Sequence, residues 1–157
     1  MTEGYNKITE IVRSLVAKAG FAAKVSLSEG VDQNNKFSVV SVESEEDLSM
    51  LIGKGGQSLA ALEHVARVIA AHTNNLPELN FIIDINDYRK SRANAVVQLA
   101  RDTVDRVLNT KRAEALSPMT AYERRLVHME LASYTDIQTE SIGEEPYRRI
   151  VIKPEFV

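Results

Sequence analysis

Ile52-Gly53-Lys54-Gly55-Gly56-Gln57-Ser58-Leu59 carries the strongest structural signal in the first half of this chain. It joins a short segment with an acidic start to a longer segment whose apolar residues recur at helical spacing. Glycine lets a backbone approach a bulky anion because no Cβ intervenes. A helix that begins directly afterwards offers N–H groups without intrahelical partners and a partial positive charge, and Lys54 adds a mobile cation. The stretch therefore predicts a loop that holds a sugar–phosphate backbone.

Composition excludes several other classes. The 157 residues include no cysteine, so disulfides and thiolate metal sites are excluded. No apolar run is long enough to span a bilayer, and the first residues lack the pattern of a signal peptide. We found no nucleotide-binding P-loop, no His-Glu-x-x-His and no Gly-x-Ser-x-Gly. These features predict a cytoplasmic protein that is not inserted in a membrane and has no catalytic role, cofactor or metal.

Charge is distributed unevenly along the chain, although the net charge is only −3. Residues 1–86 hold seven Lys/Arg against eleven Asp/Glu, a balance of −4. Residues 87–157 hold twelve against eleven, a balance of +1, and much of the positive charge is clustered. Because salt confines a surface field to about 8–10 Å, such clusters can bind phosphate on an acidic protein, although they could also be ordinary solvated faces. The clusters are Arg89-Lys90-x-Arg92, Lys111-Arg112, Arg124-Arg125 and Arg148-Arg149.

Periodicity in the first half predicts the order α-β-β-α-α-β. Ser44-Glu45-Glu46-Asp47 resembles a helix start with acids in the first turn, and it indicates a short helix that ends at Gly53. The next helix should bury one face, formed by Leu59, Leu62, Val65, Ala66 and Ile69. The predicted elements are a helix at 6–19, strands at 24–29 and 36–43 joined by a polar turn at 30–35, a helix at 57–74 ended by Asn74-Asn75-Leu76-Pro77, and a strand at 81–85.

The second half predicts one long helix, one shorter helix and two strands. The long helix is expected over 87–115, and Thr120-x-x-Glu123 has the pattern of a capping box that opens a helix to about Tyr134. Strands are expected at 137–141 and 147–153. The fold class is thus α+β, with a first domain at 1–86 and a second at 87–157.

The glycine loop within α-β-β-α-α-β resembles that of a type II KH domain. The resemblance is carried by Ile52, Gly53, Lys54, Gly55 and Gly56 and by the helix that follows. In KH domains this loop clamps the backbone of about four single-stranded nucleotides. The resemblance therefore implies that these five residues bind RNA, with Lys54 supplying charge. The alternative is that the glycines only form a sharp turn between two helices.

A second motif, Arg124-x-x-x-His128, places a guanidinium and an imidazole four residues apart on one helix. Together with the following strands and the opening Asp87-Tyr88-Arg89, it resembles an R-three-H domain, a family that binds single-stranded nucleic acid. The resemblance implies RNA contacts by Arg124 and His128, aided by the cations Arg125, Arg89 and Lys90. The alternative is an incidental pair on a helix surface. Three tyrosines of this half, Tyr88, Tyr122 and Tyr147, are expected to pack in the core or at the domain boundary, with base stacking as the alternative.

A KH domain joined directly to an R-three-H domain resembles the bacterial Jag/KhpB (EloR) family. The resemblance implies a single-stranded RNA-binding protein, with single-stranded DNA as an alternative ligand, that acts as an RNA chaperone or post-transcriptional regulator linked to cell elongation, division, cell shape and cell wall regulation. It also implies a small single-KH-domain protein as partner, or self-association through the KH domain. Many members carry an N-terminal Jag-N domain, which this chain is expected to lack. The other reading is a protein-interaction adaptor that uses the KH fold for dimerisation.

Overall fold

In the computed structural model the chain forms two compact units, Met1–Arg89 and Lys90–Val157. The structure describes residues 2–32, 35–73 and 80–155. Helices and strands occur in both units, so the predicted α+β class is confirmed. No helix in the described ranges is both long and apolar enough to cross a membrane.

The first unit has the predicted order α-β-β-α-α-β. Strand β2 lies in the centre of a three-stranded sheet, antiparallel to β1 and parallel to β3. The two hairpin strands are longer than predicted, because β1 runs to Asp32 and β2 begins at Asn35. The predicted helix break at 74–77 lies outside the described residues. The elements are α1 (Thr2–Lys18), β1 (Lys24–Asp32), β2 (Asn35–Glu43), α2 (Ser49–Ile52), a one-turn 3-10 helix (Lys54–Gly56), α3 (Gln57–His72) and β3 (Phe81–Ile85).

Helices α1 and α3 pack on this sheet and close its core. The buried face of α3 differs from the predicted one, because Leu59 and Ala66 are buried whereas Val65 and Ile69 are exposed. Glu63 takes a buried position instead. Its carboxylate accepts a hydrogen bond from the Ile83 N–H of β3 (2.9 Å), which compensates for burying a charge.

Helix α2 begins later than the acidic run 44–47 predicts. It starts at Ser49, and Asp47 caps it from outside, since its carboxylate accepts hydrogen bonds from the backbone N–H (2.9 Å) and the hydroxyl of Ser49. These two bonds stabilise the ionised carboxylate and lower the pKa of Asp47, the hydroxyl bond having the larger effect.

Two consecutive residues with positive φ, Asn86 (47°) and Asp87 (55°), turn the chain sharply after β3. Asn and Asp tolerate this conformation better than other side chains. Helix α4 (Tyr88–Thr110) begins directly afterwards. The carboxylate of Asp84 accepts a hydrogen bond from the Arg89 N–H (3.1 Å) and thereby satisfies one amide of the first turn.

In the second unit the predicted long helix is wrong at its end. Helix α4 stops at Thr110, Lys111 adopts a φ of 58°, and Glu114–Ala115 form a short strand. This strand pairs with the last strand, so tertiary hydrogen bonding overrides the helical pattern. The remaining elements are β4 (Glu114–Ala115), α5 (Ala121–Leu131), β5 (Ile137–Ile142) and β6 (Arg149–Pro154), with the antiparallel sheet order β4-β6-β5.

The predicted capping box at the start of α5 is present. The Thr120 hydroxyl accepts from the Glu123 N–H (3.3 Å), and the Glu123 carboxylate accepts from the Thr120 N–H (2.8 Å). Helix α5 ends at Leu131, three residues before the predicted end at Tyr134. The capping box fixes the register of α5 and therefore the direction in which Arg124 and Arg125 leave the helix.

Candidate nucleic-acid interface

The glycine loop is built from three glycines with positive φ, at Gly53 (72°), Gly55 (61°) and Gly56 (82°). They turn the chain from α2 through the one-turn 3-10 helix into α3. The N-cap residue of α3 is Gly56, which has no side chain to cap the helix, and the N–H groups of Gly56 and Gln57 donate to the Gly53 and Lys54 carbonyls within the loop. The first turn of α3 carries the partial positive charge of a helix N-terminus.

The glycines differ in the space around them. A Cβ on Gly53 would lie 2.8 Å from the backbone nitrogen of Ser58, whereas a Cβ on Gly55 would meet nothing within 4 Å. Gly56 faces the ring of Tyr88, which would be 3.2 Å from its Cβ. Gly53 is therefore required by the protein's own packing, and Gly55 is the glycine that stands open to a ligand.

Of the charged and apolar side chains from Ile52 to Leu59, one is exposed and two pack in or against the core. Lys54 is exposed, and no hydrogen bond or ion pair engages its ammonium group within the described ranges. Ile52 is half-buried against the core of the first unit, and Leu59 belongs to that core. The loop thus offers one cation and an exposed glycine at its surface, next to apolar side chains of the core.

The Arg89 side chain is hydrogen-bonded along the outer edge of β3. Its Nε donates to the Ile83 carbonyl (2.9 Å), and its Nη2 lies 2.7 Å from the carboxylate of Glu63. Arg67 of α3 donates to the Phe81 carbonyl (2.6 Å) and pairs with the same carboxylate. Arg89 therefore blocks an open strand edge within the first unit. Lys90 belongs to the second unit and is exposed.

Arg124 is buried, with 7 % of its surface exposed. Its Nη1 donates to the Met119 carbonyl (2.7 Å), and its Nη2 donates to the Glu145 carboxylate (2.6 Å). Glu145 lies on the turn between β5 and β6, so Arg124 ties this turn to the start of α5. A phosphate that approached Arg124 would have to compete with Glu145 for the guanidinium.

His128 is half-buried and its Nδ1 lies 2.6 Å from the Thr139 hydroxyl of β5, at hydrogen-bonding distance. Both side chains of the Arg-x-x-x-His motif are thus hydrogen-bonded to other residues of the second unit. Arg125 is exposed, and in the described part of the chain no acidic side chain pairs with it. Of the two arginines of α5 that the sequence predicts as RNA contacts, Arg125 is the one that is accessible to an anion.

Tyr122 and Tyr147 are the residues whose expected burial is wrong. Tyr122 is 64 % exposed on the first turn of α5, and Tyr147 is 70 % exposed on the turn before β6. Tyr88 alone among the three tyrosines packs against a core, that of the first unit. Their position in the sequence could have indicated exposure, because both tyrosines lie within three residues of an arginine near the end of a helix or strand.

Comparisons with known proteins agree with this arrangement. A family model described as the R-three-H domain matches residues 94–154. Proteins named "RNA-binding protein KhpB" are similar to the chain. The one from Lactiplantibacillus plantarum is 34 % identical over 122 residues, which cover 78 % of this chain and 37 % of the relative. The one from Bacillus subtilis is 38 % identical over 111 residues, which cover 68 % and 52 %.

Fold and match together define an α+β protein in which an R-three-H domain follows an α-β-β-α-α-β unit. The similarity to the KhpB proteins extends over most of the chain. The chain belongs to the Jag/KhpB family. It spans between 37 % and 52 % of the length of these two relatives.

Proposed function

We propose that this protein binds single-stranded RNA, with the glycine loop holding the sugar–phosphate backbone. The observation that carries the proposal is the open Gly55, which is flanked by the exposed Lys54 and followed by a helix whose N-cap residue is also a glycine. Backbone N–H groups at a helix N-terminus bind phosphate oxygens without a side chain. The name of the relatives, RNA-binding protein, supports RNA as the ligand.

The second unit supplies a further contact in this proposal. Arg125 offers the accessible charge, while Arg124 and His128 hold the surrounding elements in place through Glu145, Met119 and Thr139. Direct phosphate contact by Arg124 or His128, and by Arg89 or Lys90, stays a prediction. Two weak sites on one chain increase the apparent affinity when a single strand reaches both.

The cellular role that we propose requires RNA binding and no catalytic step. A cytoplasmic RNA chaperone or post-transcriptional regulator, linked to cell elongation and division, is the function that the family resemblance supports. Such a protein needs to hold single strands of many sequences, and a loop that contacts the backbone is suited to that task.

The first test compares two variants of one open position. Gly55→Asp places a carboxylate in the loop, and Gly55→Asn places a neutral side chain of nearly the same shape there. Both residues tolerate positive φ, and nothing lies within 4 Å of the new Cβ. Fluorescence anisotropy with a labelled single-stranded RNA, at two salt concentrations, should show at least about tenfold weaker binding for Gly55→Asp, because like charges repel. Gly55→Asn should bind much better than Gly55→Asp.

The salt dependence of binding shows which cations contact phosphate groups. Lys54→Ala and Arg125→Ala should each reduce the slope of log affinity against log salt by about 0.7 for every phosphate that the removed side chain neutralised. Arg124→Ala should mainly lower the melting temperature. If it lowers the salt slope and leaves the melting temperature unchanged, Arg124 contacts phosphate directly. Equal affinities of the wild type and both Gly55 variants contradict the loop assignment.

A second candidate, an adaptor that self-associates through the KH fold, is favoured by the exposed apolar stripe of α3. Val65, Val68 and Ile69 lie at helical spacing and are between 38 % and 44 % exposed. A stripe without charge on a helix can pack on its own copy about a two-fold axis. Sedimentation of the wild type should then show a dimer, and Val68→Glu should dissociate it. A wild type that stays monomeric contradicts self-association, and binding of a single-KH-domain protein by that monomer would identify the other partner.

A further inference from the structure

Two aromatic rings stand in solvent on the second unit. Tyr122 and Tyr147 expose 64 % and 70 % of their surface, although an aromatic ring gains free energy when it is buried. They belong to different elements, the first turn of α5 and the turn that precedes β6. An exposed ring in each of two neighbouring elements is a feature that packing alone does not explain.

Hydrogen bonds hold these two elements together. The Met119 N–H donates to the Arg148 carbonyl (3.1 Å), three residues before Tyr122 and one residue after Tyr147. The buried guanidinium of Arg124 bonds to both sides, to the Met119 carbonyl and to the Glu145 carboxylate. Two hydrogen bonds therefore fix the segments that carry the rings to each other, and the bond from Arg124 to Met119 holds the guanidinium in place between them.

Arginines lie within three positions of both tyrosines in the sequence. Arg125 follows the first turn of α5 and is exposed. Arg148 is also exposed, and its Nε donates to the Ser141 hydroxyl (2.9 Å), which leaves the rest of its guanidinium in solvent. Arg149 donates through Nε to the Tyr147 carbonyl (3.3 Å). Two carboxylates of this region form ion pairs in the described contacts, Glu145 with Arg124 and Glu123 with Arg92.

We propose that Tyr122 and Tyr147 form a stacking subsite for the bases of a single-stranded nucleic acid. The subsite rests on the proposed RNA-binding function and assigns it two further residues outside the Arg-x-x-x-His motif. Bases have a π-face whatever their sequence, so two exposed rings bind them with little sequence preference, while Arg125 and Arg148 attract the phosphates between them. Rings fixed on two tied elements lose little conformational freedom when a base stacks on them.

The chain offers a direct probe of this stacking. It contains no tryptophan, so its near-ultraviolet emission comes from its five tyrosines. Titration of the full chain with a single-stranded oligo(rU) should quench tyrosine emission. In the variant Tyr122→Leu/Tyr147→Leu most of this quenching should disappear, and the affinity for oligo(rU) should fall between about fivefold and about a hundredfold for each base that stacked. The salt slope should stay unchanged, because no charge is removed.

Two controls separate stacking from a structural role. Tyr122→Phe/Tyr147→Phe keeps both rings and should bind oligo(rU) like the wild type. An oligonucleotide of the same length with abasic sites keeps the backbone but offers no base, so it should bind equally to the wild type and to the leucine variant. On the wild type, the comparison of oligo(rU) with the abasic strand measures stacking without any variant, so it does not depend on whether a variant folds.

The outcomes separate this subsite from the proposed function. If the wild type binds oligo(rU), Gly55→Asp weakens the binding and the leucine variant binds as tightly as the wild type, the subsite is refuted and RNA binding stands. If the wild type discriminates poorly between oligo(rU) and the abasic strand, the subsite is refuted as well. If the wild type binds neither strand, both the subsite and RNA binding fail, and a protein partner on the tyrosines becomes the alternative.

Discussion

Gly53 and Gly55 are two glycines of one loop that should respond very differently to the same substitution. Gly53 has φ 72° and ψ 177°, a combination that is almost restricted to glycine. Gly55 has φ 61° and ψ 21°, the left-handed helical region that asparagine tolerates. Replacing each by asparagine therefore tests the backbone geometry with an identical side chain.

The magnitudes follow from strain and space. At Gly53 the backbone strain costs about 1–3 kcal/mol, and the new Cβ would lie 2.8 Å from the Ser58 nitrogen, so the loop must shift at a similar further cost. At Gly55 the Cβ meets nothing within 4 Å, and the cost should stay below about 1 kcal/mol. For a unit of this size, 1 kcal/mol corresponds to about 4–8 °C of melting temperature.

Calorimetry of the full chain should show the first unit of Gly53→Asn melting at least about 4–8 °C below that of Gly55→Asn. Because the chain has two units, hydrogen exchange of peptides from β2 and β3 should locate the destabilisation in the first unit. Equal melting temperatures for the two variants, or a Gly53→Asn protein that melts like the wild type, would contradict the predicted strain at Gly53. The expected result also means that weaker RNA binding by a Gly53 variant would report misfolding, so Gly55 is the position for binding experiments.

Three further predictions concern stability. Thr120→Ala removes half of the capping box and should destabilise the second unit by about 1 kcal/mol in urea unfolding, whereas Thr120→Ser should be close to the wild type. Glu63→Ala leaves the Ile83 N–H without its acceptor and should destabilise the first unit by about 1–3 kcal/mol; no change in unfolding would show that water replaces the carboxylate. The pKa of Asp47 is lowered in the folded state, so its contribution is complete above the ordinary aspartate pKa and is lost as the pH falls through the lowered value. Asp47→Asn should remove that part of the acid dependence in a pH series of melting temperatures, and an identical pH profile would contradict the assignment.

Most of the helices and strands were predictable because their signals are local. The order α-β-β-α-α-β, the capping box at Thr120 and the sharp turns at the glycine loop follow from spacing and from residue type. The end of α4 was not predictable in this way. Helical periodicity continues to Ala115, but Glu114 and Ala115 pair with β6, more than thirty residues later in the chain.

The candidate site was predicted in part. The glycine loop and the Arg-x-x-x-His motif are visible in the sequence, yet the sequence does not distinguish Arg124, which is buried, from Arg125, which is exposed. The same holds for the tyrosines, since Tyr88 packs against a core and Tyr147 stands in solvent. Helical phase alone places neighbouring arginines on adjacent faces, and it does not say which face another element covers.

Local sequence signals are enough to show where the chain can turn, which segments can be helix or strand, and that one loop can approach a phosphate backbone, because glycine, capping residues and periodicity act over a few positions. Which polar groups are available to a ligand depends on the folded structure. Arg124 bonds to Glu145, and Glu63 bonds to Ile83, across about twenty residues of sequence each. Burial and pairing depend on elements that meet only in the folded chain, and within the described residues they leave Lys54, Arg125 and the two exposed tyrosines for a ligand to reach.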